Sequence, residues 1–497
     1  MLRILTGVFV LVLLPAVPAE AAARRNLVVI LIDDLRADVF GYAGHPFVKT
    51  PHIDALAADG VRFTRAFVNT SLCSPARATL LTGQYMHRHG VVDNSTRIPE
   101  GTPTYPQLLQ RSGYETAFIG KWHMGSSSDA PRPGFDYWVS FRGQGTYAPE
   151  GQTINVNGTQ QPRKKYATDE LTDYAVEWLR LRERDQPFLL LLSHKGVHGL
   201  YDPAPRHRDL YREQPFREPE SFSRETALQG AKPLWVLDQR NSWHGVEFPY
   251  HGRSGQTLVE MYNHYCEMVL SIDESVGQVR ACLEARGLAA NTTILFTSDG
   301  GHLWGEHGLI DKRCAYEASI RVPFLVASPG LTATNSLCNT IVSSIDVAPT
   351  LLDLAQISVP ATMDGVSLQP LLERPDNPVE LAGELLYEYY WEPAFPQTPT
   401  NFALRTDRWK LIQYHGVWDH DELYDLQNDP QELRNVIHSE AHQNVVRDMR
   451  ERLHQKLAAT DGLRIPLGRK LNHGSSLRSA VGSERAEFPS RILSDSP

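Results

Sequence analysis

The chain has no second long apolar run after its first residues, no internal repeat, no heptad pattern and no low-complexity tract. Those absences exclude a membrane-embedded bundle, a solenoid and a coiled coil. It also lacks an excess of basic charge: 49 Lys and Arg face 58 Asp and Glu, a formal net charge of −9. That balance excludes a broad nucleic-acid-binding surface. It leaves an anionic substrate open, because a metal and a few clustered cations can reverse the sign locally. Cysteine is scarce, with five in 497 residues.

The opening residues read as a secretory leader over 1–21. Arg3 supplies the positive end, Ile4 to Leu14 is mostly apolar, and Ala19-Glu20-Ala21 resembles a signal-peptidase site. The apolar run is too short to span a membrane comfortably. No Cys near the cleavage point suggests a lipoprotein, and the expectation is an exported protein, periplasmic or secreted, with no membrane span once mature. An odd cysteine count in an exported chain sets one thiol aside for another purpose. Cys266 and Cys282 fall on one predicted helix, roughly 24 Å apart at 1.5 Å per residue, and cannot pair with each other. Whether any disulfide forms stays open.

What is present is ordinary globular composition, 41% hydrophobic and 22% charged, long enough for one large core and a smaller appended unit. Four apolar runs without polar alternation read as buried parallel strands: Leu27 to Ile32, Glu115 to Ile119, Phe188 to Leu192 and Thr293 to Thr297. Helical patterns at Ser74 to Leu81, Asp169 to Glu183 and Gln256 to Arg286 separate them. Such alternation predicts an α/β domain with helices on both faces of a sheet. The strands run into Asp33-Asp34, Lys121 and His123, His194-Lys195 and His198, and Asp299. Ligands of open α/β sheets sit beyond the carboxyl ends of the strands, so the residue mix at these four ends favours one active site. After about residue 375 the texture changes to strands at Glu384 to Tyr390 and Phe402 to Tyr414, with a tight turn at Thr406-Asp407, and a helix over Ala441 to Ala459. Residues 464–497 are polar and Ser/Arg-rich, with weak order expected.

Cys73-Ser74-Pro75-Ala76-Arg77 opens a predicted helix, with Pro75 suited to its first position and Gly83 to its stop. Free N–H groups and the macrodipole there favour an anion, and Arg77 lies one turn on along the same face. A buried structural Cys, half of a disulfide or a plain reactive thiol would also fit, and the pentamer alone is only moderately specific. Its setting adds more. The C-x-P-x-R segment is followed by Thr79-Leu80-Leu81-Thr82-Gly83. Asp33-Asp34, Gly120-Lys121-Trp122-His123 and Thr297-Ser298-Asp299 accompany it in the same order along the chain. In this combination the sequence resembles the sulfatase family of the alkaline phosphatase superfamily, from about Asn26 to about residue 460.

The resemblance implies a large mixed, mostly parallel sheet sandwiched by helices, with a smaller C-terminal antiparallel sheet plus helix. Expected boundaries are 26–375 for the catalytic part and 376–463 for the C-terminal part. It implies that Cys73 is oxidised to formylglycine by a formylglycine-generating or anaerobic sulfatase-maturating enzyme. One oxygen of the hydrated aldehyde would attack sulfur and the other would later collapse to expel sulfate. Asp33, Asp34 and Asp299 would hold Ca²⁺ or Mg²⁺ together with residue 73; hard oxygen ligands suit either ion. Helix capping is the alternative use of such Asp residues, though an adjacent pair repels itself without a cation. Arg77 would stabilise the attacking oxyanion. Lys121 and His123 would hold the formylglycine and sulfate, with His123 as base. His198 would act as general acid towards the leaving oxygen, and Lys312 would bind a sulfate oxygen. An exposed loop lysine or a packed histidine is the ordinary reading for each of these alone.

One departure stands out. The family usually has Asn, sometimes His, after the last Asp, where this chain has Gly300; water or His302 is expected to fill that position. Trp243, His244, Trp304, His307 and Trp391 are candidate leaving-group contacts, as is the Gly416-Val417-Trp418-Asp419 turn, although ordinary packing accounts for each singly. The pattern looks most similar to carbohydrate sulfatases acting on N-acetylglucosamine 6-sulfate in glycosaminoglycan or mucin glycans. A phosphonate monoester or phosphodiester hydrolase on the same scaffold is the alternative enzyme. A non-catalytic glycan-binding homologue is the third reading.

Overall fold

A computed structural model describes residues 24–465 except 126, 184, 243, 248–254, 377–382, 393–394 and 417–418. The leader at 1–21, Trp243, the Val417-Trp418 half of the turn and the tail from 466 onward lie outside these described residues.

The four apolar runs are strands at Asn26–Ile32, Glu115–Gly120, Phe188–Ser193 and Thr292–Ser298. They are neighbours in space, in the order 292–298, 26–32, 188–193 and 115–120, and they run parallel. Their lack of alternation has a direct cause, since both faces are covered. Val28, Ile30 and Ile32 point into one core, shared with helices Ala167–Leu181 and Leu258–Ala285. Leu27, Val29 and Leu31 point into the other, shared with Cys73–Thr82 and Val347–Leu354. Each such side chain, fully buried, contributes roughly 1.5–3 kcal/mol. Register aligns the strand ends: Ile32 pairs with Ser298, Leu31 with Ser193, and Gly120 with Ser193. The residues that follow therefore leave the sheet at one level.

Six further strands complete a ten-stranded mixed sheet. Phe324–Ala327, Val61–Phe63 and Ser336–Cys338 extend one side; Tyr137–Ser140, Thr153–Val156 and Thr159–Pro162 extend the other. These strands are short or part-exposed, so they leave no long apolar run to read. Gly120 shows why the centre is tight: its φ is +126°, and a Cβ there would lie 1.8 Å from the Ser193 carbonyl oxygen.

The C-terminal part is a separate four-stranded antiparallel meander of Leu385–Tyr389, Thr400–Arg405, Trp409–His415 and Glu422–Asp425. Helix Gln443–Ala459 packs on it through Val446, Met449, Leu453 and Leu457. Two buried cations moor it to the large sheet's loops. Arg405 pairs with Glu317 at 3.1 Å, and Lys410 donates to the Ala315 carbonyl at 2.8 Å. Both tie down the segment that carries Lys312. All five cysteines are free thiols. No helix of the described residues is long and apolar enough to cross a membrane.

Candidate active site

Helix Cys73–Thr82 starts with Cys73 itself, after the extended Leu72. Pro75 is the third helical residue rather than the first; its missing N–H costs nothing, because first-turn N–H groups have no partner within the helix. The helix is wholly buried and points its N-terminus at the four strand ends. Backbone bonds lock those ends together: Asp33 N–H donates to the Gly196 carbonyl at 2.9 Å, Val197 N–H to the Asp33 carbonyl at 2.8 Å, and Lys121 N–H to the Ser193 carbonyl at 2.8 Å. Asp34, His123 and Arg313 adopt left-handed backbone, with φ of 59°, 64° and 69°. Such conformations cost energy in non-glycine residues and collect at functional sites.

Charge is concentrated and fully buried. Arg77 grips Asp299 through Nε at 2.8 Å, and its second arm donates to the Lys121 carbonyl at 2.6 Å and the Ser193 hydroxyl at 2.7 Å. It also lies 3.6 Å from Asp33. Lys121 contacts Asp33 and donates to Gln144 Oε1 at 2.5 Å. Lys312 contacts Asp34 and lies 3.0 Å from Cys73 Sγ. Burial alone would raise Asp33, but Lys121 and the other cations hold it well below the usual range. Burial raises Asp34 to about 7 despite Lys312, and burial with Asp33 nearby raises Asp299. Burial, then Asp33, pushes the unconverted Cys73 thiol up to about 12. A thiol held there is protonated at neutral pH, which speaks against a plain thiolate nucleophile.

The histidines divide. His123 sits by Ser74, with Nδ1 at 3.3 Å from Oγ, and burial and Lys121 hold it neutral. His198 directs Nδ1 to its neighbour's carbonyl, Gly199 O, at 2.5 Å, leaving Nε2 towards Asp34 at 3.8 Å. Burial keeps it well below its ordinary value. His194 instead turns into the helix layer, where Nε2 meets Ser275 Oγ at 3.0 Å. Lys195 places its ammonium 4.2 Å over the Tyr147 ring, and burial and Lys121 lower it to about 7.

A cavity of about 250 Å³ opens onto Asp34, Cys73, His198 and Lys312. Cavities of about 320 and 370 Å³ occur elsewhere, but neither is lined by any of these four residues. Of the expected leaving-group contacts, His244 lines this cavity. Trp304 does not: it packs behind the wall against Tyr201 and His302, at 4.9 Å from each ring. His307 stacks on Tyr316 at 3.9 Å, beside a different cavity. Trp391 bonds its indole N–H to the Pro396 carbonyl at 3.2 Å and is absent from the wall. Aromatic packing accounts for Trp304 and His307.

The wall also holds a charged network around Arg313. Arg313 lies over Phe395 at 3.5 Å and joins Asp311 at 2.5 Å and Glu392 at 3.0 Å. His244 meets the same Asp311 oxygen at 2.9 Å. Phe395 lines the cavity and Glu392 holds Arg313; both come from the C-terminal part, so both parts of the chain build the site. Gln144 and Asn94 also line the cavity. Only the neighbours of Lys312 in Asp311-Lys312-Arg313 were within reach of a motif-based reading.

Asp33, Asp34 and Asp299 offer one oxygen each within 4.8 Å of one another, as do ligand atoms of Asp33, Cys73 and His198. Three converging buried carboxylates are a hard-oxygen donor set that fits Ca²⁺ or Mg²⁺. His302 is not among these converging ligand atoms, and its Nε2 meets the Tyr201 hydroxyl at 2.9 Å. Space remains beside Gly300: a Cβ on it would meet only Lys312 Cδ at 3.8 Å and Asp34 Oδ1 and Ser71 Cα at 3.9 Å.

The sulfatase family profile matches residues 25–357, and a profile for the C-terminal part of N-sulphoglucosamine sulphohydrolase matches 305–459. An N-acetylglucosamine-6-O-sulfatase from Bacteroides thetaiotaomicron is 30% identical over 84% of this chain and 83% of its own. A solved structure in complex with its substrate, D-glucosamine-2-N,6-O-disulfate, superposes with a TM-score of 0.77 at 29% identity, covering 88% of this chain and 99% of that one. The phosphonate monoester hydrolase of Agrobacterium radiobacter shares the fold, with a TM-score of 0.71 at 23% identity, covering 88% of this chain and 96% of that one.

Proposed function

This chain belongs to the sulfatase family and is a sulfuric ester hydrolase, and on that premise we propose that it removes sulfate from a sulfated carbohydrate, with 6-O-sulfated N-acetylglucosamine as the favoured unit. The observation that carries the reading is the charged wall of the cavity onto which Cys73 opens. There Asp311, Arg313 and His244 offer charged donors and acceptors for sugar hydroxyls beside Phe395, with Glu392 holding Arg313 in place. An exported setting belongs to the same reading and rests on the leader pattern of residues 1–21.

Three buried cations, Arg77, Lys121 and Lys312, already balance the three carboxylates. A divalent ion held by Asp33, Asp34 and Asp299 would make the site net positive and polarise a sulfate oxygen. Formylglycine made from Cys73 would supply the oxygen nucleophile. Arg77 fixes Asp299 and Asp33 in place, so the carboxylates need no reorganisation when substrate arrives. Lys121 and Lys312 flank residue 73 and are placed to receive sulfate oxygens. His123, neutral and buried, is fit to accept a proton. His198 has its bare Nε2 towards the cavity, so it must gain a proton before it can donate one to the leaving oxygen. The negative charge of a bound sulfate ester favours that protonation.

The test is sulfate release from 6-O-sulfated N-acetylglucosamine, run beside an aryl phosphodiester, with protein whose Cys73 peptide has been weighed. The peptide should show the mass of an aldehyde in place of the thiol, and Cys73→Ala should be inactive. A clear preference for the phosphodiester, or full activity in Cys73→Ala, would overturn the reading.

A further inference from the structure

Three arginines, Arg97, Arg132 and Arg142, gather around Asp129 and Gly125 on segments that adjoin the active cavity. Arg97 follows the wall residue Asn94 by three positions. Its side chain lies on Gly125, where a Cβ would come within 2.3 Å of Arg97 Cγ, and Gly125 is two residues beyond His123. Its guanidinium donates to the Ser127 hydroxyl at 2.9 Å. Arg132 donates to the Ser128 carbonyl at 3.0 Å, and its Nε is buried without a partner. Arg142 precedes the wall residue Gln144 by two positions, and its side chain is 69% exposed.

Among the described residues, Asp129 is the only carboxylate ion-paired with any of the three, at 3.8 Å from Arg142 Nε. Asp129 is already engaged, accepting from Gln160 at 2.9 Å and Asn155 at 3.4 Å. Burial, then the charge of Arg97, lowers the pKa of Arg132. Holding like charges together is unfavourable until an anion joins them, and the planar guanidinium fork suits sulfate and carboxylate alike. This is a local reversal of sign on a chain whose net charge is −9. The cavity, at about 250 Å³, holds little more than one sulfated sugar ring, so a longer chain has to leave across its rim.

We infer that Arg97, Arg132 and Arg142 form a subsite for a second anionic group, carried on a sugar adjoining the one whose ester is cleaved. The occupant is a polyanionic glycan chain, and the inference rests on the carbohydrate-sulfatase reading above.

The experiment compares wild type, Arg142→Glu and the triple variant Arg97→Ala/Arg132→Ala/Arg142→Ala. The substrates are 6-O-sulfated N-acetylglucosamine and a heparin-derived tetrasaccharide that ends in the same unit. For the tetrasaccharide, KM should rise about tenfold in the triple variant with kcat kept, as expected for losing charged hydrogen bonds. The monosaccharide should be cleaved as by wild type, and the salt dependence of the tetrasaccharide KM should flatten. Equal effects on both substrates, or none on the tetrasaccharide, would overturn the proposal. Calorimetric binding of the same tetrasaccharide to Cys73→Ala, with and without the rim substitutions, decides the matter separately from turnover. If neither substrate is hydrolysed, the substrate reading fails, yet rim-dependent binding would still support the subsite. Binding that is absent, or unchanged by the substitutions, would refute it.

Discussion

Gly300→Asn should tighten divalent-cation binding. Gly300 lies outside the left-handed region, and a Cβ there has no contact closer than 3.8 Å. The added Cβ therefore enters without a clash, and loss of glycine's freedom in the unfolded chain adds about 0.4–1 kcal/mol of stability. The new amide sits beside Asp34 Oδ1, which is 3.9 Å from the added Cβ. It brings a neutral hard oxygen to a site built from three carboxylates, without adding to their repulsion. Changes around a metal's ligand set commonly shift affinity by about 10–100-fold. The lower end of that range corresponds to about 1.4 kcal/mol of extra stabilisation at saturating Ca²⁺. The assay is calorimetric titration of Ca²⁺ into chelator-stripped wild type and variant, paired with urea unfolding with and without the ion. Unchanged Ca²⁺ affinity in Gly300→Asn would show that no ligand position is open beside Asp34. A stripped wild type that neither Ca²⁺ nor Mg²⁺ stabilises would remove the metal from the site altogether.

Arg77→Lys keeps the charge but loses the fork that reaches Asp299, the Lys121 carbonyl and Ser193. It should cost about 3 kcal/mol in urea unfolding, and an unchanged midpoint would contradict the network. His87 lies 2.6 Å from the buried Glu388 carboxylate; burial pulls its pKa down, but Glu388 and the Thr460 carbonyl outweigh it and hold it raised. The stability it contributes is therefore full below about pH 6.5 and fades as pH rises through the folded value. Urea unfolding of wild type against His87→Gln should show the larger gap at about pH 6 than at about pH 9, whereas equal gaps would mean that His87 carries no proton-linked stability. Arg313→Lys should raise KM for 6-O-sulfated N-acetylglucosamine about tenfold, with little change for an aryl sulfate that lacks the sugar. Equal losses on both substrates would place Arg313 at the sulfate rather than the sugar.

The central sheet and its chemistry were legible because they follow from short-range rules. A strand covered on both faces has to be apolar at consecutive positions, so Asn26–Ile32 and its three neighbours announced themselves. The six outer strands did not, since short or part-exposed segments such as Thr159–Pro162 carry no such run. Charged residues at strand ends could be read, but their direction could not. His194 and His198 follow the same strand, yet one turns to Ser275 and the other faces the cavity. Trp304 misled for the same reason. Trp304 is an apt sugar platform by residue type, but Tyr201 and His302 stand between it and the cavity.

By itself, the sequence determined that Cys73 opens a helix, that Asp33, Asp34 and Asp299 end strands, and that the chain resembles sulfatases. Those are properties of neighbouring residues and of motif order. Only the tertiary structure decided which side chains share the cavity. Asn94, Gln144, Arg313 and Phe395 come from segments far apart in the chain, and each is unremarkable in its own stretch. Their meeting depends on how the C-terminal meander docks, through Arg405 and Lys410, against the loop that carries Lys312. Docking is a property of two folded surfaces, and no local pattern encodes it. The open position at Gly300 shows both levels at once: the missing side chain was visible in the sequence, while the space beside Asp34, and His302's commitment to Tyr201, appear only once the chain is folded.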